Sequence, residues 1–256
     1  MEEYHIAKTN YILRYHDLPG EDTPILFIHG LGCAGSFDYP QVATQKALKN
    51  HRCLLVDLLG AGFSDKPNGF GYTVEDHAEY LNDFVQSIGL QKFILFGHSL
   101  GGAIALSLAN ICRDRVDKII LSESNLDKSS EGSPSKYISN FEMNDFVCNG
   151  FFQLVQESQK DANEMWAASL SLWLPKAAYL ISQSAAKGGT PPWREILYSL
   201  NCPKTFIFGE RSLPDKDEQE LAAHGIKISV VKNAGHSMAW ENPKELAEKI
   251  ATAIKD

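Results

Sequence analysis

A single serine stands between two glycines at the point where an apolar run gives way to a helix-like pattern. The stretch over 93–110 reads FILFGHSLGGAIALSLAN, with Ser99 two residues from Gly97 and two from Gly101. The apolar run predicts a buried strand and the following residues predict a helix, so the turn between them must be very tight. Glycines two residues away remove side chains that would clash there. The pattern predicts a serine presented at the carboxyl edge of a sheet as a nucleophile.

A serine hydroxyl needs a base that takes its proton, and the chain contains eight histidines. We expect the base to be His236, which directly follows a predicted strand over 227–232 in a turn-rich segment. His98 adjoins Ser99, but neighbouring side chains on a tight turn diverge, so we interpret it as a packing residue. His29 precedes Gly30 at the end of the predicted strand over 24–30, and we expect it to stabilise the loop that follows. The other five histidines are expected on the surface or in the core.

The elements that must position these residues alternate between strands and helices. Continuous apolar runs, typical of strands covered on both faces, occur at 24–30, 52–60, 92–97, 117–122, 204–209 and 227–232. Helical patterns lie at about 37–49, 73–88, 99–112 and 215–223, and a last helix begins near Asn242. This alternation predicts an α/β fold with a mostly parallel central sheet flanked by helices.

The alternation stops at about Asn125 and resumes after Ser199. We therefore predict a core formed by residues 1–124 and 200–256, with residues 125–199 as an inserted helical cap. Two interpretations of the aromatic residues in the cap remain open: they form the roof of a pocket, or they pack the cap helices together. The residues concerned are Phe141, Phe146, Phe151, Phe152, Trp166, Trp173, Tyr179 and Trp193.

Composition excludes several classes of partner. The net charge is −8 with no Lys/Arg-rich run, so neither nucleic acid nor a membrane surface is an expected partner. The five cysteines form no C-x-x-C pair, and no cluster of His, Asp and Glu has metal-ligand spacing, so we expect no disulfide framework, metal or other cofactor. The first residues lack the pattern of a signal peptide, which predicts a cytoplasmic protein. The sequence does not determine the oligomeric state.

Four motifs in order resemble the α/β-hydrolase family: HGLG at 29–32, DLLGAGFSDKP at 57–67, GHSLGG at 97–102 and NAGHSMAWENP at 233–243. The resemblance covers nearly the whole chain except the cap, which matches the position of that family's cap domain. It implies Ser99 as nucleophile and His236 as base. The oxyanion would be held by the main-chain N–H of Leu100, the residue after the nucleophile, and by resemblance by that of Leu31.

The third member of the triad departs from the family pattern. Most members carry an aspartate as G-x-x-D after the strand that corresponds to 204–208, but here Ser212 occupies that place. Three carboxylates are alternatives: Glu123, Asp215 and Glu210. We favour Glu123, because it follows an apolar strand directly and because a branch of the haloalkane dehalogenases resembles this arrangement. Asp215 and Glu210 remain open.

Together these features predict a metal-free serine hydrolase that cleaves a carboxylic ester of a small, partly apolar substrate through an acyl-enzyme. Thioesterase, lactonase, C–C bond hydrolase and aminopeptidase activities use the same triad and stay open. Epoxide hydrolase and dehalogenase chemistry is disfavoured, since it needs a carboxylate where Ser99 stands. A catalytically silent ligand-binding protein on the same scaffold is a further alternative, favoured by Ser212 in place of the usual aspartate.

Overall fold

A computed structural model describes residues 1–7, 9–160 and 163–255. Positions 8, 161, 162 and 256, which fall inside the predicted core and cap, lie outside the described residues. One eight-stranded sheet runs through the protein in the order β1-β2-β4-β3-β5-β6-β7-β8. Its strands are β1 (Glu2–His5), β2 (Ile12–Leu18), β3 (Asp22–Ile28), β4 (His51–Asp57), β5 (Phe93–His98), β6 (Val116–Ser122), β7 (Lys204–Gly209) and β8 (Lys227–Val231).

The sheet is mostly parallel, as the sequence predicts. At one edge, β2 pairs antiparallel with both β1 and β4. The remaining pairings, β4-β3, β3-β5, β5-β6, β6-β7 and β7-β8, are parallel. Successive residues of a strand face opposite sides: in β3, Leu26 and Ile28 enter one apolar cluster, whereas Ile25 and Phe27 enter the other. Each such side chain is fully buried and contributes about 1.5–3 kcal/mol relative to an exposed position.

Helices cover both faces of the sheet. Those of the core are α1 (Gly35–Asp38), α2 (Pro40–Ala43), α3 (Val74–Ser87), α4 (Leu100–Ile111), α11 (Asp217–Ala223), α12 (Met238–Glu241) and α13 (Pro243–Lys255). A capping box begins α3: the Thr73 hydroxyl accepts the N–H of Asp76, whose carboxylate accepts the N–H of Thr73. This box fixes where α3 begins.

The predicted single helix over 37–49 is wrong. The structure forms two four-residue helices, α1 and α2, and continues in turns to residue 50. Pro40 explains the break, since proline has no N–H to continue the first helix and fits the first position of the second. The Asp38 carboxylate accepts the N–H of Ala34 at 2.7 Å and anchors the start of α1.

All secondary structure described between β6 and β7 is helical. It comprises α5 (Pro134–Ser139), α6 (Met143–Asp145), a π-helical turn (Phe146–Gly150), α7 (Phe151–Lys160), α8 (Glu164–Leu170), α9 (Pro175–Lys187) and α10 (Trp193–Ser199). We call residues 125–199 the cap. Its exact division from the core stays a prediction.

The crossing of α4 over β3 depends on glycine. A Cβ atom at Gly101 would overlap the main-chain carbonyl oxygens of Ile28 and His29, and one at Gly97 would meet Gly102 Cα at 2.7 Å. Because main-chain atoms cannot swing away like a side chain, these positions admit no larger residue without a shift of the helix. The glycines of the GHSLGG motif thus let the helix begin directly on the sheet.

We predict that Gly101→Ala destabilises the protein by about 1–3 kcal/mol, because the added methyl group forces α4 away from β3. Urea denaturation measures the change. Gly69→Ala is the matched control: that glycine is exposed and an added Cβ would only meet the Tyr11 hydroxyl at 3.6 Å, so its effect should stay within about 0.5 kcal/mol. Equal stability of both variants would contradict the packing argument.

Candidate active site

Ser99 lies between β5 and α4 in a strained conformation. Its φ of 52° and ψ of −126° fall where L-residues are rarely found, and its N–H donates to the carbonyl of Ser122 at 2.9 Å. Within the described residues the Ser99 hydroxyl has no hydrogen-bond partner. The turn predicted from sequence is present, and it presents the hydroxyl without tying it to another side chain.

His236 lies in the loop between β8 and α12 and contacts a carboxylate. Its Nδ1 is 2.8 Å from Oε2 of Glu123, 113 residues away in sequence. The carboxylate only accepts, so Nδ1 carries the proton and Nε2 is the nitrogen left to act as a base. The His236 side chain is 55% exposed and that of Glu123 only 10%. A buried carboxylate thus holds one end of an accessible imidazole.

Hydrogen bonds hold both oxygens of the Glu123 carboxylate: His236 Nδ1–H donates to Oε2, and the N–H of Gly209 donates to Oε1 at 2.8 Å. The nearby hydroxyl of Ser212 also lowers the pKa of Glu123. Burial opposes ionisation, but these hydrogen bonds outweigh it and lower the pKa of Glu123 below the ordinary 4.5. Glu123 is therefore a carboxylate at neutral pH. Ser212, at the usual aspartate position, contacts the carboxylate that stands beside it.

The two other candidate carboxylates are engaged elsewhere. Asp215 Oδ1 accepts the N–H of Asp217 at 2.7 Å, and Glu210 Oε2 accepts the N–H of Asn233 at 2.9 Å. In the described part of the chain, neither forms a hydrogen bond with His236. The structure thus brings one of the three alternatives, Glu123, to the histidine.

The loop after β3, residues 29–33, carries the predicted oxyanion donor Leu31, and we call it the oxyanion loop. His29 is buried, its Nδ1 contacts the carbonyl of Gly30 at 2.9 Å, and its Nε2 accepts the N–H of Leu58 at 3.0 Å. Burial lowers the pKa of His29, so the ring is neutral, and the acceptor role of Nε2 places the proton on Nδ1. Since the Gly30 carbonyl and the Leu31 N–H share one planar trans peptide, holding the carbonyl points the N–H the opposite way.

Leu31 and Leu100 are the two residues whose main-chain N–H groups are predicted to hold the oxyanion. Neither main-chain N–H donates a hydrogen bond to another described residue. For Leu100 this follows from its place at the first position of α4, where amides have no partner within the helix. Both residues line the cavity that contains Ser99 and His236. The arrangement leaves two N–H groups available to a ligand beside the serine.

His98 packs against His236, with ring centroids 4.7 Å apart. Its Nδ1 is 3.0 Å from the carbonyl oxygen of Ser122. Burial, followed by the neighbouring His236, lowers the pKa of His98 to about 3. The ring stays neutral at physiological pH, in accord with its interpretation as a packing residue.

One cavity of about 350 Å³ holds the four predicted groups. Its wall contains Leu31, Ser99, Leu100, His236, Pro134 and Trp166, together with the polar side chains Asn125, Ser133, Ser135, Asn163 and Ser237. Among its described lining residues there is no Lys, Arg, Asp or Glu. The cavity suits an uncharged molecule with both apolar and hydrogen-bonding parts.

Of the eight aromatic residues singled out in the cap, only Trp166 lines this cavity. Phe146 packs against Phe141, Phe151 and Tyr179 inside the cap, and Phe152 is 55% exposed. Four of the eight therefore pack against one another inside the cap. The polar residues of the wall are not identified from the sequence, because they come from separate segments of the chain and share no pattern.

The described residues contain no group of three His, Cys, Asp or Glu side chains placed to hold a metal ion. Among the described helices, none has both the length and the apolar character needed to cross a bilayer.

Similar sequences cover part of the chain. The haloalkane dehalogenase 2 of Mycobacterium tuberculosis is 37% identical over 103 residues, which are 40% of this chain and 35% of that protein. This similarity therefore spans about a third of the relative's length.

Solved structures are similar over the whole chain. An esterase from Thermogutta terrifontis superposes with a TM-score of 0.82 at 22% identity, covering 100% of this chain and 98% of that one. The N-acyl homoserine lactonase AidH, complexed with N-butanoyl homoserine, gives a TM-score of 0.78 at 20% identity, with 100% and 97% covered. At these identities the likeness shows a shared fold.

A family model described as the alpha/beta hydrolase fold matches residues 23–183. That segment contains the serine turn, the oxyanion loop and most of the cap, and the sheet of the whole chain agrees with it. The chain belongs to the α/β-hydrolase fold family.

Proposed function

We propose that the protein is a serine hydrolase that cleaves a carboxylic ester of a small, uncharged substrate. The observation that supports this most is the hydrogen bond between His236 Nδ1 and the Glu123 carboxylate, made at the cavity that Ser99 also lines. This hydrogen bond leaves Nε2 of His236 to act as a base. The same cavity contains the hydroxyl of Ser99, a residue with a strained backbone whose hydroxyl has no hydrogen-bond partner among the described residues.

In the proposed reaction, His236 Nε2 takes the Ser99 proton as the oxygen attacks the ester carbonyl carbon. The negative charge that develops on the carbonyl oxygen is held by the N–H groups of Leu31 and Leu100. The imidazolium, stabilised by Glu123, then returns the proton to the leaving alcohol. A water molecule activated by His236 finally attacks the acyl-enzyme, releasing the acid and free Ser99.

Dehalogenation does not fit a serine at position 99. Displacement of halide by a carboxylate gives an alkyl ester, which water can hydrolyse at its carbonyl carbon. Displacement by the Ser99 oxygen would give an ether, which the same site has no means to cleave. The partial sequence similarity to a haloalkane dehalogenase is therefore compatible with a shared family, and the proposed chemistry differs.

An N-acylated lactone is a second candidate substrate. The cavity wall carries the side-chain amides of Asn125 and Asn163, neither of which forms a hydrogen bond with another described residue. Such amides can donate to and accept from the amide of an acylated lactone, whose ring ester the same serine would open. The structural similarity to a lactonase complexed with N-butanoyl homoserine adds support.

A fluorophosphonate probe should label Ser99 covalently in the wild type, since it reacts with a serine activated by a base. Peptide mass spectrometry identifies the modified residue, and Ser99→Ala is the control that should lose the label. Folded wild-type protein that takes up no label, and hydrolyses no ester in a graded panel with lactones and thioesters, would favour the ligand-binding alternative.

Glu123→Gln should lower kcat for an ester by about 10²–10⁴-fold, because the amide no longer stabilises the imidazolium. Asp215→Asn is the matched control and should leave kcat near that of the wild type. Because Ser212 contacts Glu123, adding Ser212→Asp to Glu123→Gln restores a carboxylate to the same network and should recover part of kcat. A large loss in Asp215→Asn with little loss in Glu123→Gln would assign the acid to Asp215.

Stability should depend on pH through Glu123. Its folded-state pKa lies below the ordinary 4.5, so the ionised carboxylate stabilises the fold above that pH, and this contribution is lost as pH falls through the folded-state pKa. The difference in unfolding free energy between wild type and Glu123→Gln should therefore be constant near neutrality and shrink below pH 4.5. Urea denaturation at several pH values measures it. The unfolding free energy of Ser99→Ala, which keeps Glu123, should depend on pH as that of the wild type does. A difference between wild type and Glu123→Gln that stays constant below pH 4.5 would contradict the lowered pKa of Glu123.

A further inference from the structure

Two tryptophans of the cap donate hydrogen bonds to the oxyanion loop of the core. Nε1–H of Trp166, on α8, donates to the carbonyl of Leu31 at 2.9 Å. Nε1–H of Trp173, in the turn after α8, donates to the carbonyl of Cys33 at 2.7 Å. The loop that carries one proposed oxyanion donor is therefore held partly by the cap.

Core and cap hold different peptide units of this loop. The Gly30 carbonyl is held by the core, through the His29 ring and through the N–H of Cys33 at 3.2 Å. The next carbonyl, that of Leu31, has Trp166 as its one hydrogen-bond partner among the described residues. Leu31 thus has its N–H oriented from the core side and its carbonyl fixed from the cap side.

The indole of Trp166 also packs directly on the loop. Gly32 has a φ of 75°, and a Cβ atom there would overlap the indole ring of Trp166. Glycine tolerates this φ and leaves room for the ring, but it also leaves the chain free to rotate after Leu31. The hydrogen bond from Trp166 restricts that freedom at the residue next to the oxyanion donor.

Trp166 lines three cavities. These are the site cavity, a cavity of about 180 Å³ lined also by Asp38 and Trp240, and a third of about 420 Å³ lined also by Tyr137 and Leu154 of the cap. Asn163 and Ser237 line the first two as well, and Pro134 lines the first and third, but Trp166 is the one described residue common to all three. We therefore expect removal of the indole to join the space next to Ser99 to further empty volume.

We propose that Trp166 is a positioning residue that holds Leu31 in the oxyanion hole and, as the partition of the site cavity, restricts the substrate to short acyl groups. Docking of the cap thereby completes a catalytic element of the core. This inference rests on the proposed function for the role of Leu31 in an oxyanion hole. The contact between cap and loop stands independently of it.

Trp166→Phe keeps an aromatic ring and removes the N–H donor. We expect kcat for an acetyl ester to fall about tenfold with KM nearly unchanged, because the lost interaction acts on the transition state. Hydrogen exchange at the amides of residues 31–33 should accelerate. Trp193→Phe is the matched control: Trp193 is a buried cap tryptophan whose Nε1 has no hydrogen-bond partner in the described chain, so both readouts should match the wild type.

Trp166→Ala tests the partition separately. The ratio of kcat/KM for an octanoyl ester to that for an acetyl ester should rise about tenfold or more, since the longer chain can enter the joined cavities. Trp166→Phe, which keeps most of the ring, should leave this ratio unchanged. Thermal unfolding of each variant establishes that it is folded.

Different measurements test the positioning role of Trp166, its role as a partition and the proposed function. Unchanged kcat and unchanged exchange of residues 31–33 in Trp166→Phe would overturn the positioning role, and an unchanged chain-length ratio in Trp166→Ala would overturn the partition. Absence of both ester hydrolysis and fluorophosphonate labelling in the wild type would reject the proposed function. In that case, faster exchange in Trp166→Phe than in Trp193→Phe would still support the cap's hold on the loop, and equal exchange would overturn it.

Discussion

A hydrogen bond of 2.8 Å between His236 and Glu123 joins two loops that are 113 residues apart in the chain. It can form only because the parallel strands β6, β7 and β8 end at one edge of the sheet. The N–H of Glu123 extends the pairing with β7 by donating to Ile207 at 3.0 Å, which brings the carboxylate to the N–H of Gly209. The sheet register thus sets the geometry on which the candidate site depends.

The same register allows the proposed acid, Glu123, to follow a different strand from the one that the G-x-x-D pattern places it after. Adjacent strands are about 4.8 Å apart, so a longer glutamate side chain at the end of β6 reaches the place of an aspartate in the loop after β7. Ser212 then contributes a hydroxyl to the carboxylate instead of a second charge. Two carboxylates in one small, half-buried space would repel each other, and a neutral serine avoids that cost.

Local sequence patterns predicted the strands of the sheet and the serine turn, because each depends on residues close together in the chain. The predicted helix over 37–49 does not form as one element, because Pro40 ends the first short helix and begins the second. Contacts between residues that are distant in the sequence are not indicated by any local pattern. Nothing near Trp166 in sequence indicates that its indole reaches Leu31, and the choice among Glu123, Asp215 and Glu210 required the relative positions of three loops.

Mass spectrometry of the wild-type protein, quenched during turnover of a short ester, shows whether Ser99 forms the proposed acyl-enzyme. The peptide that contains Ser99 should carry the mass of the acyl group early in the reaction and lose it when the substrate is exhausted. Steady turnover with Ser99 unmodified at every time point, or with the acyl group on another residue, would show that Ser99 is not the nucleophile.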